Sequence, residues 1–236
     1  MSGRPLPLPL NASEHINDGK YHLLLAASGS VASIKIPHII SALSRYRNIS
    51  IRLVLTQSAS QFLAGQSAEQ PSLSTLGTLP HVDGIYLDED EWSEPWVRGN
   101  KILHIELRKW ADLLLIAPLS ANSLAKMVYG ISDNLLLSVI RAWDTTGEVD
   151  PMRYCISSFK KIIIVAPAMN TAMWVQPVTK QHIRVLESDW NVNNGGWVQI
   201  LRPTEKELAC GDSGSGAMAD WNKIVECILQ KFTLIA

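Results

Sequence analysis

Lys160-Lys161-Ile162-Ile163-Ile164-Val165-Ala166-Pro167-Ala168-Met169-Asn170-Thr171-Ala172-Met173-Trp174 is the stretch whose reading decides the fold. Two lysines lead into an apolar, β-branched run, the pattern of a buried strand. Small residues follow, then Asn170 and a segment of helical character. A strand that stops in small residues and hands over to a helix marks the carboxyl edge of an α/β sheet, and ligands bind at that edge. An asparagine there offers a donor and an acceptor together, and the methionines and Trp174 supply apolar walls. The plainer reading is a strand–turn–helix joint in which Asn170 only caps the next helix. On position alone that reading is the stronger, so the rest of the chain has to decide.

The same joint recurs upstream. Residues 21–27 read as the first strand, and Ser28-Gly29-Ser30-Val31-Ala32-Ser33 turns into a helix running to about Arg47. Free backbone N–H groups and hydroxyls at such a turn commonly hold a phosphate. One glycine before a helix is neither a P-loop nor a GxGxxG motif, however, and is more often simply a turn. Residues 50–55 form a second strand ending in Thr56-Gln57-Ser58-Ala59-Ser60. Parallel strands end together, so these hydroxyls share an edge with the first turn, although N-capping explains one of them equally well. Residues 111–117 form another strand, followed by Pro118-Leu119-Ser120-Ala121-Asn122-Ser123 and a helix that Gly130 ends. Asp133-Asn134 opens a helix through Trp143, and residues 145–159 read as a connecting insert. A helix follows from Pro177, a residue suited to a first turn, and Trp197 to Leu201 is a final strand.

The totals bound the answer. A chain of 236 residues is one large α/β domain or two small ones, and 47% hydrophobic residues can build a core. The net charge of −1 gives no sign of nucleic acid or anionic membrane as a partner. No apolar run approaches the roughly 20 residues that cross a bilayer. Residues 1–18 open with alternating Pro and Leu and read as a mobile, extended tail ahead of a domain over 19–236. Cys155, Cys210 and Cys227 are odd in number, far apart and without metal-ligand spacing. That fits free thiols in a reducing, cytoplasmic setting and no metal site.

Residues 63–101 are the least readable. Residues 82–87 read as a strand, and Asp88-Glu89-Asp90-Glu91, with no histidine nearby, reads as a solvated acidic turn. Trp92 and Trp96 are expected to cover something apolar. Leu103 to Trp110 is a short helix or turn, and His104 within it is on its own a poor candidate for chemistry. Leu208-Ala209-Cys210-Gly211-Asp212-Ser213-Gly214-Ser215-Gly216-Ala217-Met218 carries three glycines in six residues, the composition of a mobile lid. A thiol in such a loop is exposed and available, although an ordinary flexible connection explains the segment as well. Cys227, flanked by Ile224 and Ile228, is most simply core.

Taken together, several segments resemble the homo-oligomeric flavin-containing cysteine decarboxylases. They are residues 25–32, Leu103-His104-Ile105-Glu106-Leu107-Arg108-Lys109-Trp110-Ala111-Asp112, residues 117–122, residues 167–174 and Leu208-Ala209-Cys210-Gly211-Asp212. The likeness runs from about residue 20 to the C-terminus. Pro-x-Met-Asn-x-x-Met-Trp marks the wider family. The Leu-Ala-Cys-Gly-Asp segment is narrower and points to members acting on 4′-phosphopantothenoylcysteine in coenzyme A synthesis. The resemblance implies a flavodoxin-like, Rossmann-type parallel sheet with helices on both faces, as a single domain. It also implies bound FMN and a homotrimer with active sites between subunits. Gly29, Ser30, Val31, Thr56, Ser58, Ser120, Ala121, Asn122, Ser123 and Met169 would surround the FMN. Asn170, Lys109, Ala209 and Met218 would face the substrate. By similarity, His104 takes part in decarboxylation, Asn170 binds the substrate carboxylate and Cys210 protonates the reduced intermediate.

The implied reaction yields 4′-phosphopantetheine. The thiol carbon is transiently oxidised to a thioaldehyde, the carboxylate β to the C=S bond leaves as CO2, and the enethiol is re-reduced, so the flavin ends as it began. A thiol near its ordinary pKa of about 8.5 is largely protonated at neutral pH and can donate the last proton. Two positions depart from the family pattern. Arg108-Lys109 stands where two arginines are typical, and Lys lacks the bidentate fork; Lys206 and Glu207 stand where relatives often carry two basic residues. The alternatives are an inhibitory subunit of a protein phosphatase, another flavin-dependent member (a peptidyl-cysteine decarboxylase or a flavin prenyltransferase) or a plain FMN carrier. His104, Asn170 and Cys210 are all present, and residues 232–236 carry no acidic run; both favour the enzyme over the phosphatase subunit. Cys210 in its glycine-rich surround argues against the other flavin enzymes.

Overall fold

An apolar run such as Ile162-Ile163-Ile164-Val165 can be buried on both faces only if helices cover both sides of its sheet. That is the arrangement in the computed structural model, which describes residues 9–150, 153, 160–207 and 213–236. Six parallel strands, β1 (Tyr21–Ala27), β2 (Ile49–Leu55), β3 (Val82–Tyr86), β4 (Leu113–Leu119), β5 (Ile162–Pro167) and β6 (Val198–Ile200), lie in the order β3-β2-β1-β4-β5-β6. Residues alternate between the two faces with period two. Leu23, Leu25, Leu53, Leu115 and Ile164 pack under α1 (Ile36–Leu43) and the C-terminal helix, Trp221–Lys231. Leu24, Ala26, Leu114, Ile116, Ile163 and Val165 belong to the opposite core layer.

The other α-helices fall at the joints between strands, except the last, which follows them all. They are α2 (Gln57–Ser60), α3 (Leu73–Gly77), α4 (Asp88–Glu91), α5 (Leu103–Trp110), α6 (Ala121–Tyr129), α7 (Leu135–Arg141), α8 (Thr171–Val175), α9 (Pro177–Glu187) and α10, the C-terminal helix. Gly130 ends α6 at φ 70°, a left-handed conformation that glycine adopts without strain. The result is the doubly wound α/β arrangement expected of a flavodoxin-like, Rossmann-type domain. Its switch point falls between β1 and β4, where neighbouring crossovers diverge and leave a crevice at the strands' carboxyl ends.

Two expectations need correction here. The segment over 9–18 is not a free tail: Leu10 and Ala12 are buried, and the Ala12 N–H donates to Glu106 Oε2 at 2.8 Å. Asp18 and the buried His22 bind the Arg153 guanidinium at 3.1 and 3.0 Å. His15, Asp18 and His22 bring ligand-type atoms within 4.8 Å of one another, but that guanidinium already supplies a cation to two of them. The glycine-rich segment, read as a lid, contains regular structure. β7 (Thr204–Glu207) and β8 (Ser213–Ala217) form an antiparallel hairpin.

In the connection after α7, the Asp144 carboxylate accepts five hydrogen bonds. They come from the Thr146 N–H and hydroxyl, and from the N–H groups of Gly147, Val149 and Asp150, at 2.9–3.1 Å. Burial alone would push this carboxyl up, but the donors win and hold it well below the usual carboxylate range. Cys155 lies outside the described residues.

Candidate functional site

The carboxyl ends of the central strands open into a cavity of about 780 Å3. Gly29, Ser30 and Val31 line it after β1, Thr56 and Ser58 after β2, and Ser120, Ala121, Asn122 and Ser123 after β4. Met169 and Asn170 follow β5, and Met218 follows the hairpin. The ten positions that the resemblance placed around FMN thus line one space, along with Asn170 and Met218, two of the four expected to face substrate.

Local chemistry explains why these joints hold their shape. Ser28 is fully buried; its N–H and hydroxyl donate to the Pro118 carbonyl at 3.0 and 3.2 Å, and its oxygen accepts from the Ser120 N–H at 2.7 Å. One hydroxyl therefore locks the turns after β1 and β4 together. Thr56, Ser120, Asn134 and Asn170 each cap the helix they precede. The capping and site readings of Asn170 are compatible. Its Oδ1 accepts from the Met173 N–H at 2.8 Å, and its amide nitrogen makes no hydrogen bond among the described residues. Gly29 has a steric reason: a Cβ there would sit 2.6 Å from Ser58 Cβ.

The hairpin glycines serve close approach. Gly216 sits at φ 140°, its carbonyl accepts from the Met169 N–H at 3.0 Å, and a Cβ on it would lie 2.5 Å from the Met169 carbonyl oxygen. A Cβ on Gly214 would lie 2.4 Å from Thr171 Oγ1. The hairpin therefore docks backbone to backbone on the segment that carries Asn170.

Asp88 was missed as a cavity residue, as were Lys126, Asp133 and Asn134. Asp88 accepts from the Leu135 N–H at 3.0 Å, and burial pushes its carboxyl up. Lys126 and Asp133 form an ion pair at the rim. Asp88 follows β3, so the carboxyl-edge rule that found the other joints applies to it as well.

The acidic run is not a solvated turn. Asp90 accepts from the Leu87 N–H at 2.7 Å, and Glu91 binds His104 twice, accepting from its backbone N–H at 3.2 Å and meeting Nδ1 at 2.8 Å. His104 itself does not line the cavity. Nor does Lys109, which is paired with Glu106 at 3.7 Å. Arg108 turns inward, to the Ala142 carbonyl and to Asp150, both at 3.2 Å. Trp92 and Trp96, expected to cover apolar surface, are instead 64% and 52% exposed. Ala209 and Cys210 lie outside the described residues. No helix among the described residues is long and apolar enough to cross a membrane.

Comparisons with known proteins agree with this geometry. The chain is 42% identical over 201 residues to the phosphopantothenoylcysteine decarboxylase of Arabidopsis thaliana, covering 85% of this chain and 80% of that protein. It is 40% identical over 228 residues to a probable thymidylate synthase of Schizosaccharomyces pombe, covering 97% of this chain and 32% of that protein. The chain spans about a third of the length of the first curated relatives it matches. Among solved structures, a PPC decarboxylase mutant complexed with pantothenoylaminoethenethiol superposes with a TM-score of 0.70 at 40% identity, covering 89% of this chain and 97% of that one. The Flavoprotein family profile spans residues 11–233, the cavity and its joints included, and the chain belongs to that family.

Proposed function

We propose that this chain binds FMN and decarboxylates 4′-phosphopantothenoylcysteine to 4′-phosphopantetheine in coenzyme A biosynthesis. We infer further that it works in the cytoplasm as a homotrimer with active sites between subunits. The observation that carries this reading is the cavity at the switch point, with the Pro-x-Met-Asn-x-x-Met-Trp turn and the glycine hairpin meeting at its rim.

The residues present fit the cofactor. Hydroxyls and first-turn N–H groups after β1, β2 and β4 suit a phosphate and a polyol chain, and the space Gly29 leaves beside Ser58 would be closed by any Cβ. Val31, Met169, Met218 and Trp221 offer apolar surface to a flat ring within the same cavity. When bound, FMN supplies a reversible two-electron acceptor, so no external electron donor is required. Asn170, with its Oδ1 committed to the Met173 N–H, presents its amide N–H to a substrate carboxylate. Met169 and Met218 exclude water beside it. Cys210 donates the proton that completes the product. Met173, Val175 and Val178 are 50%, 50% and 44% exposed, an apolar strip beside the site that suits contact with another copy of the chain. The placement of His104 outside the cavity lining supports a site completed between subunits.

The test is to incubate the purified protein with 4′-phosphopantothenoylcysteine and follow CO2 and product by mass spectrometry. A yellow protein that turns over substrate is expected. A protein that takes up no flavin, or that carries FMN and releases no CO2, overturns the proposal.

A further inference from the structure

We propose that Glu91 is a positioning residue that fixes the ring proton of His104 on Nδ1 and leaves Nε2 as the nitrogen that meets substrate. This deepens the decarboxylase reading and rests on it. The geometry is specific. Glu91 Oε1 lies 2.8 Å from His104 Nδ1, and Oε2 accepts from the His104 backbone N–H at 3.2 Å. The Glu91 side chain is 4% exposed and that of His104 21%. An ionised carboxylate only accepts hydrogen bonds, so Nδ1 has to be the donor, and in the neutral ring the lone pair then belongs to Nε2. Nε2 makes no hydrogen bond among the described residues, which leaves it available.

The backbone contact has a cause of its own. The first N–H groups of a helix lack partners inside it, and Ile102, which precedes α5, has no side-chain cap to offer. Glu91 supplies the cap from a different helix. One buried carboxylate therefore holds both the main chain and the ring of the same residue. Such double anchoring restricts rotation of the ring as well as its proton.

The acidic run also ties this pair to the cavity. α4 is four residues long, with Asp88 at the cavity end and Glu91 at the other. Three residues of helical rise separate them by roughly 4.5 Å along the axis. The helix that presents a carboxylate to the cavity is thus the one that orients His104.

Glu91→Gln separates positioning from capping. A glutamine has one acceptor oxygen for two donors, the backbone N–H and Nδ1–H. If the oxygen stays on the backbone, the amide NH2 faces Nδ1 and drives the ring proton to Nε2. Exchanging the carboxylate for an amide in a serine-protease triad misplaces the histidine proton in this way and lowers kcat about 10⁴-fold. Here kcat is expected to fall between about 10²- and 10⁴-fold, with KM and FMN content held within a few-fold.

The decisive readout is the ring tautomer, followed by ¹H–¹⁵N correlation in histidine-labelled protein at about pH 8.5, where an ordinary imidazole is neutral. The His104 signal is assigned by its loss in His104→Asn. Wild type is expected to show protonated Nδ1 and bare Nε2, and Glu91→Gln the reverse. A wild-type ring protonated on Nε2 overturns the proposal, and that spectrum decides the matter even if the variant fails to fold. Turnover by Glu91→Gln within threefold of wild type, with His104→Asn inactive, also overturns it while leaving the role of His104 intact. Normal turnover by His104→Asn removes the role of the histidine itself.

Discussion

Replacing Gly216 by alanine should undock the hairpin from the site without unfolding the sheet. Gly216 has φ 140°, a region that L side chains rarely adopt, and holding a residue there costs about 1–3 kcal/mol. The new Cβ would also meet the Met169 carbonyl oxygen at 2.5 Å, so the strand has to lift. Lifting breaks the bond from the Met169 N–H to the Gly216 carbonyl, now 3.0 Å, for a further loss of about 0.5–1.5 kcal/mol. Together the docked state loses about 1.5–4.5 kcal/mol, a roughly 10- to 2,000-fold fall in the docking constant. Native-state hydrogen exchange reads this directly: protection of the Met169 amide should drop by that factor. The amide of Ile163, buried in β5, should keep its protection. Unchanged exchange at Met169 in a folded Gly216→Ala protein would refute the reasoning, because it would mean that the docking bond is not formed in solution.

Gly29→Ala should weaken FMN binding at least tenfold, because its Cβ would lie 2.6 Å from Ser58 Cβ and one of two cavity turns must move. Flavin retained after gel filtration and a fluorescence titration both measure this, and wild-type affinity would count against Gly29 as part of the cradle. Asp144→Asn should cost about 2–3 kcal/mol at pH 7, since an amide has one acceptor oxygen and leaves two N–H donors unserved. The Asp144 carboxyl is depressed in the folded state, so its contribution is complete above the unfolded value of about 3.9 and fades as pH falls below it. The stability gap between wild type and variant in urea melts should therefore narrow below about pH 4; a gap that widens with acid would contradict this account.

Strands and site positions were legible wherever one local rule decided them. Leu23 to Ala27 and Ile163 to Val165 are uniformly apolar because both sheet faces are covered, and hydroxyl-rich joints stand out where such runs stop. Ser28-Gly29-Ser30, Thr56 and Ser120 were found that way. Asp88 obeys the same rule but was hidden by its acidic neighbours, whose composition resembles a surface turn. The Glu91–His104 pair could not be read, because the two residues are 13 apart and only the packing of α4 against α5 joins them. Gly214 and Gly216 misled for a different reason. Glycine looks the same in sequence whether it loosens a loop or lets two backbones touch. Leu10, next to Pro9, and Ala12, between Asn11 and Ser13, gave no periodic pattern from which burial could be argued.

The bond from Ala12 to Glu106 has a practical consequence. Glu106 stands two residues beyond His104 on α5, is 5% exposed, and is held from the far side by the opening segment of the chain. Anyone excising this unit from a longer polypeptide should place the cut ahead of Leu10. A fragment starting at Lys20 would remove Leu10 and Ala12 from the core layer that holds Leu107 and Trp110, leave Glu106 with only its lysine partners Lys101 and Lys109, and strip Arg153 of its Asp18 counter-ion at one stroke.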